Sequence, residues 1–275
     1  GCQGYDTNVV IVDTLPIANF SFTDTICLGD TTFFSDLSVN TSGNINNWQW
    51  NFGDGNTSTD INPYHIYSNP GTYTVTLTVT DDNLCTHTDT QTVIIRPNPI
   101  ASFTATTVCV GDTTELISTS ISDSIYANIA GTINSWQWNF GDGNGYGDNL
   151  DIIQHAYTSD GPYLVTLIVT DQYGCNTEVS DSVYVTPGPI ANFTSDTVCE
   201  GDSTTFTDLS QFTPPLGVEI QTWLWDFGDG NTSTDQNPTH LYSNAGVYNA
   251  VLIVTDTNGC QGYDTNVVIV DTLPI

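Results

Sequence analysis

The stretch Trp48-Gln49-Trp50-Asn51-Phe52-Gly53-Asp54-Gly55 decides the fold. Trp48, Trp50 and Phe52 alternate with polar residues, the period of a β-strand with one buried face. Gly53-Asp54-Gly55 then reads as a tight turn, because glycine supplies backbone conformations that other residues avoid. The phrase returns as Trp136 to Gly143 and, with Leu and Asp in the variable places, as Trp223 to Gly230. The spacings, from 48 to 136 and from 136 to 223, are 88 and 87 residues. A fixed period of this kind means tandem copies of one unit, and the unit has the size of a small β-sandwich.

Around the first copy, alternation and turn residues predict strands over Ala18 to Phe22, Thr31 to Asp36, Ile45 to Phe52, Tyr64 to Tyr67, Thr72 to Thr80 and Thr86 to Ile95. In the fifth, Tyr73, Val75, Leu77 and Val79 face inward and the threonines between them face outward. The same order surrounds Trp136 and Trp223. The loop ahead of the paired tryptophans varies most, with Ser118 to Thr132 in the second copy and Ser210 to Glu219 in the third.

The fold class expected is therefore all-β, with three tandem sandwiches. Residues 1–15 read as the last strand of a preceding module, followed by modules over 16–97, 98–187 and 188–275. Junctions such as Pro97-Asn98-Pro99 and Pro187-Gly188-Pro189 are short and stiff, so an extended rod is expected. At roughly 3.3 Å per residue, three such sandwiches span on the order of 100–120 Å. Residues 1–17 and 259–275 are identical (GCQGYDTNVVIVDTLPI), an offset of 258 residues, or three modules. That repeat marks one period of a longer array.

The chain has 31 acidic residues against one basic residue, Arg96, for a formal net charge of −30. Such a surface repels phosphate, which excludes nucleic acid and disfavours anionic membranes. Hydrophobic content of 38% and six tryptophans still suffice for packed cores. No apolar run reaches membrane-spanning length. Seven cysteines occupy two recurrent places: ahead of a Gly-Asp turn (Cys27, Cys109, Cys199) and after a Val-Thr-Asp turn (Cys85, Cys175, Cys260, with Cys2 left over). Without zinc-like spacing they read as disulfides of an extracellular protein. Pairing within modules, Cys27–Cys85, Cys109–Cys175 and Cys199–Cys260 with Cys2 unpaired, gives each module a complete set and is the pairing expected. A bridge closing about 60 residues adds roughly 4 kcal/mol in the chain-entropy model. Pairing across junctions gives instead Cys27–Cys175 and Cys109–Cys260. A separation of a few ångströms between the Cys27 and Cys175 sulfurs would decide for it.

The order WQWNFGDG, NPYHIY and GTYTVTLTVTD in the first module, and WLWDFGDG, NPTHLY and GVYNAVLIVTD in the third, resembles the PKD (polycystic kidney disease) domain family. The second module departs in the middle piece, with IIQHAY. The cysteines and the P-I-A-x-F module start are similar to PKD arrays in large secreted surface adhesins of gliding bacteria. The resemblance implies immunoglobulin-like sandwiches, an extracellular or cell-surface location, and roles in spacing, adhesion or matrix.

Asp54, Asn56, Ser58 and Asp60, and likewise Asp229, Asn231, Ser233 and Asp235, place oxygens at alternate positions as calcium loops do, but without the downstream glutamate. The resemblance adds Asp81, Asp171 and Asp256 as calcium ligands, although the acidic loop that completes that site is missing. No cofactor other than calcium is implied. Asp54, Asp142 and Asp229 read more plainly as turn residues bonded to local amides. His65, His155 and His240, one per module, read as strand residues bonded near that turn. The outer tryptophans could stack on sugars, and the inner ones belong in the core. Thr14, Thr25, Ser124, Ser182 and Thr197 follow Asp and precede an apolar residue, which resembles an O-glycosylation motif. No nucleophile with a base, carboxylate pair or metal cluster is signalled, so no enzyme is expected. The function expected is a stiff, disulfide-stabilised spacer in an extracellular filament or surface adhesin. Its expected partners are neighbouring modules, lateral copies and surface glycans or cells. The alternative is accessory carbohydrate- or protein-binding modules of a secreted hydrolase.

Overall fold

A computed structural model describes residues 6, 8, 12, 14–23, 26–145, 147, 149–212 and 218–273. Cys2 and Thr25 lie outside the described residues. The first module contains β1 (Phe20–Phe22), β2 (Ile26–Cys27), β3 (Thr32–Asp36), β4 (Ile45–Asn51), β5 (Thr57–Ser58), β6 (Tyr64–His65), β7 (Gly71–Asp81) and β8 (Thr86–Arg96). They form two sheets, β1-β3-β6 and β2-β8-β7-β4-β5. Every pairing is antiparallel except that of β2, which lies parallel to the end of β8 with Ile26 opposite Ile95 and Cys27 opposite Arg96.

The alternation read in the sequence becomes the core between the sheets. Val75, Leu77 and Val79 of β7 are fully buried, as are Trp50, Phe34 and Val93. Trp50 sits edge-on to Phe20 at 5.2 Å and tilted against Phe34 at 5.6 Å. Burying each such side chain stabilises the module by about 1.5–3 kcal/mol. The Trp50 indole also donates to the Asp60 carbonyl at 2.8 Å, so its one polar atom is satisfied.

The third module repeats this arrangement from Phe193–Ser195 to Gln261–Asp271, with Val198–Cys199 again parallel to its last strand. The second has strands at Phe103–Ala105, Val108–Cys109, Thr113–Ser118, Ile133–Asn139, Ile152–Ala156, Gly161–Asp171 and Asn176–Thr186. Its variable loop holds one 3₁₀ turn, Ser124–Tyr126, capped by the Asp123 carboxylate. Four of the six strands expected in the first module are shorter than read: the first begins at Phe20, the second at Thr32, the third stops at Asn51 and the fourth at His65. By compactness the chain divides into two units. The first is Gly1–Ser102, Thr119–Gln137 and Leu167–Val179, and the second is Phe103–Ser118, Trp138–Thr166 and Ser180–Ile275.

Candidate functional site

The most repeated polar constellation is the Gly-Asp-Gly turn. Gly53 has φ 85°, and a Cβ there would stand 2.5 Å from the Thr74 carbonyl oxygen, so only glycine fits. Asp54 Oδ1 accepts the Asn56 amide at 3.0 Å, and Oδ2 lies 2.7 Å from His65 Nε2. The same contact joins Asp142 to His155 at 2.7 Å and Asp229 to His240 at 2.8 Å. Phe52 stacks on the His65 ring at 4.3 Å, and Tyr67 meets it edge-on at 4.6 Å. Tyr67 donates its hydroxyl to the Phe52 carbonyl at 3.1 Å. Burial opposes the Asp54 carboxylate, but the His65 ring and the Asn56 donors outweigh it and hold its pKa below the usual value. Burial, then the Asp54 charge, pushes the Tyr67 hydroxyl well above the usual tyrosine range. With Nε2 committed and one ring face covered, the histidine clamps the turn. Both residues play the plainer roles read from the sequence.

The Val-Thr-Asp turn is the second constellation. Asp81, Asp171 and Asp256 are buried at the end of the next-to-last strand of their modules. Asp81 Oδ1 accepts the backbone amides of Asn83 at 3.0 Å and Cys85 at 2.8 Å. Asp171 does so for Tyr173 and Cys175, and Asp256 for Asn258 and Cys260. Each carboxylate therefore fixes the position of the cysteine four residues on.

Those cysteines correct the expected pairing. The disulfides are Cys27–Cys175 (Cα–Cα 5.4 Å) and Cys109–Cys260 (5.5 Å), each from one module to the next. Cys27–Cys85, Cys109–Cys175 and Cys199–Cys260 do not form, and Cys85 and Cys199 are free thiols. The reason is geometric. Cys27 is registered against Arg96 at the exit end of β8, whereas Cys85 precedes its entry end. Eleven residues of strand separate the two ends, roughly 33 Å at about 3.3 Å per residue. A disulfide tolerates a Cα separation of at most about 7 Å.

Beside the first bridge stands a contact that the sequence did not signal. The Arg96 guanidinium lies 3.4 Å over the Tyr173 ring and donates to the Ile129 carbonyl at 2.8 Å. The chain's only basic side chain thus ties the last strand of the first module to two loops of the second. Beside the second bridge, Thr186 Oγ1 is 3.3 Å from Cys260 Sγ. There the backbones meet closely: a Cβ on Gly262 would stand 2.0 Å from the Pro189 carbonyl oxygen.

The candidate calcium ligands do not fit a cation cage. Asp54 is saturated by Asn56 and His65, and Ser58 donates to Asp60 at 3.2 Å. Asp81 Oδ2 accepts from Asn40 at 3.1 Å. Asp171 Oδ2 faces Gly131, with no room for even a Cβ between them. Asp229 repeats the Asp54 contacts with Asn231 and His240, the Asp235 carbonyl accepts the Trp225 indole at 2.8 Å, and among the described residues no three acidic, histidine or cysteine side chains gather as a metal site would need. Asp256 Oδ2 lacks a partner among the described residues, but one oxygen falls far short of the six to eight that calcium takes. The outer tryptophans are half-buried, and their indoles are anchored: Trp48 donates to Asp36 and Trp223 to Asp208, both at 2.7 Å. Of the glycosylation candidates, Thr14, Ser124, Ser182 and Thr197 are exposed.

Comparison with known proteins agrees with this geometry. The family model for the PKD domain matches residues 13–95, 96–187 and 186–270. The chain is 47% identical over 80 residues to a microbial collagenase of Vibrio alginolyticus, covering 27% of this chain and 10% of that protein. It is 33% identical over 154 residues to the pre-pro-metalloprotease PrtV of Vibrio cholerae, covering 54% and 16% respectively. It therefore spans a small part of the length of these relatives. Among solved structures, the PKD1 domain of Vibrio cholerae PrtV is 36% identical, covering 30% of this chain and 98% of that one, with a TM-score of 0.28. The PKD1 domain of Vibrio anguillarum Epp is 34% identical, covering 30% and 96%, also with a TM-score of 0.28. From the Trp-x-Trp strand to the Val-Thr-Asp turn, this chain belongs to the PKD domain family as three consecutive PKD modules.

Proposed function

We propose that the segment is a non-catalytic accessory array of a secreted hydrolase, holding neighbouring domains at a fixed spacing outside the cell. The observation that carries this reading is the similarity of its modules to segments of a collagenase and of a metalloprotease. The polar groups add support, because they are spent on turns and junctions: the His–Asp pairs close turns, and the buried aspartates position cysteines. The dense negative charge favours protein or glycan partners over nucleic acid.

A second reading is a stiff spacer in a cell-surface filament or adhesin. It is favoured by bridges that run from module to module and by the 258-residue repeat. One experiment separates the two. Native protein is captured from the extracellular fraction with an antibody to the segment, then assayed on a gelatin gel and imaged by electron microscopy. Gelatin lysis by compact particles supports the accessory array. Thin filaments repeating on the order of 100–120 Å, without lysis, replace it with the filament.

A further inference from the structure

The two bridges obey one rule: the cysteine before the Gly-Asp turn of a module bonds the cysteine after the Val-Thr-Asp turn of the module that follows. Among the described residues, Cys199 and Cys85 are the two members of that pattern left as thiols. Each keeps the backbone bonds of its bonded counterparts. The Cys199 carbonyl accepts the Asp202 amide at 3.0 Å, as Cys27 does from Asp30 and Cys109 from Asp112. Cys199 is registered in parallel against Asp271, as Cys27 is against Arg96 and Cys109 against Thr186. Cys85 is held by Asp81 through the pair of bonds that hold bridged Cys175 and Cys260. Both thiols are partly exposed. These are two complementary half-sites, each already in the geometry of its bonded counterparts.

The sequence identifies the occupant of each. Residues 259–275 repeat residues 1–17, so copies of this segment joined through that overlap would repeat every 258 residues. In such an array, the module that follows the one bearing Cys199 is a copy of the first, and its Val-Thr-Asp cysteine is Cys85. We propose that Cys199 of one three-module segment and Cys85 of the next copy form a third inter-module disulfide, so that every junction of the array carries one staple. The two thiols join as one S–S bond. Their two electrons and two protons pass to a disulfide oxidant such as oxidised glutathione, which leaves as two thiols. The proposal goes beyond the choice between hydrolase array and filament, and does not depend on it.

The test uses two copies in tandem, sharing the 17-residue overlap and refolded in a glutathione buffer. Leu84, which is exposed and has φ 65°, is changed to Gly in the second copy only, giving its Cys85 peptide a distinct mass. Thiols are alkylated without reduction, and disulfide peptides are mapped after chymotryptic digestion. The expected result is a peptide joining Cys199 to the mass-marked Cys85. The Cys27–Cys175 and Cys109–Cys260 peptides in the same digest report that the modules have folded. As a second measurement, the tandem takes up the same number of alkyl groups as the single segment. Cys199 joined to the unmarked Cys85, or two additional alkyl groups on the tandem, would overturn the proposal.

Discussion

His65 and Asp54 show how one side-chain pair serves a turn. Their side chains are only 13% and 15% exposed, so the 2.7 Å bond operates largely out of water. His65→Ala should cost about 1–3 kcal/mol, because it leaves a shielded carboxylate with only its Asn56 donors. The measurement is the urea midpoint. Acid should act through the same group. Its folded-state pKa lies below the ordinary aspartate value of 3.8, so its stabilisation is present above that pH and is lost as the pH falls through the folded value. Asp142 and Asp229 add the same sign. A series of urea midpoints should therefore decline below about pH 4, and Asp54→Asn should make that decline shallower. The motif could be read in the sequence because each member recurs three times. The bond itself could not, because Asp54 and His65 are 11 residues apart and meet only when β6 folds back beneath the turn.

At the scale of elements, the strands that matter most for linkage are the shortest. β2 has two residues, too few for any alternation to show, yet its parallel register carries Cys27 to the exit end of its module. The long strands were legible because inward Val75, Leu77 and Val79 recur at every second position. The cysteine pairing was legible only as the alternative: opposite poles of such a sandwich argue for bridges across junctions, but spacing along the chain equally allows a complete set in each module, and only the register of β2 decides. Arg96 was noticed in the sequence only as the sole base. Its place over Tyr173 depends on the second module's turn. Close packing at the next junction gives a prediction. Gly262→Ala forces a methyl group against the Pro189 carbonyl and should cost about 1–3 kcal/mol in thermal unfolding, more than Gly259→Ala loses through its positive φ alone.

At the scale of the molecule, linkage and charge set the behaviour. A bridge across 148 residues restrains the unfolded chain by up to about 5 kcal/mol in the chain-entropy model. Because its ends lie in consecutive modules, it couples their unfolding. Calorimetry of the oxidised chain should show fewer and sharper transitions than that of the reduced chain. Calcium should add nothing, since most candidate carboxylates already accept from backbone amides, asparagines or histidines: melting temperatures in calcium and in chelator should coincide. Trypsin should leave the oxidised chain intact, because its single Arg precedes Pro97 and is engaged with Tyr173 and Ile129.

The account turns on bridges that join modules rather than close them. The most direct test is the disulfide map of the oxidised chain, from a chymotryptic digest analysed by mass spectrometry without reduction. Peptides joining Cys27 to Cys175 and Cys109 to Cys260 are the predicted result. Peptides joining Cys27 to Cys85 and Cys109 to Cys175 would contradict it and return the chain to a string of separately closed modules.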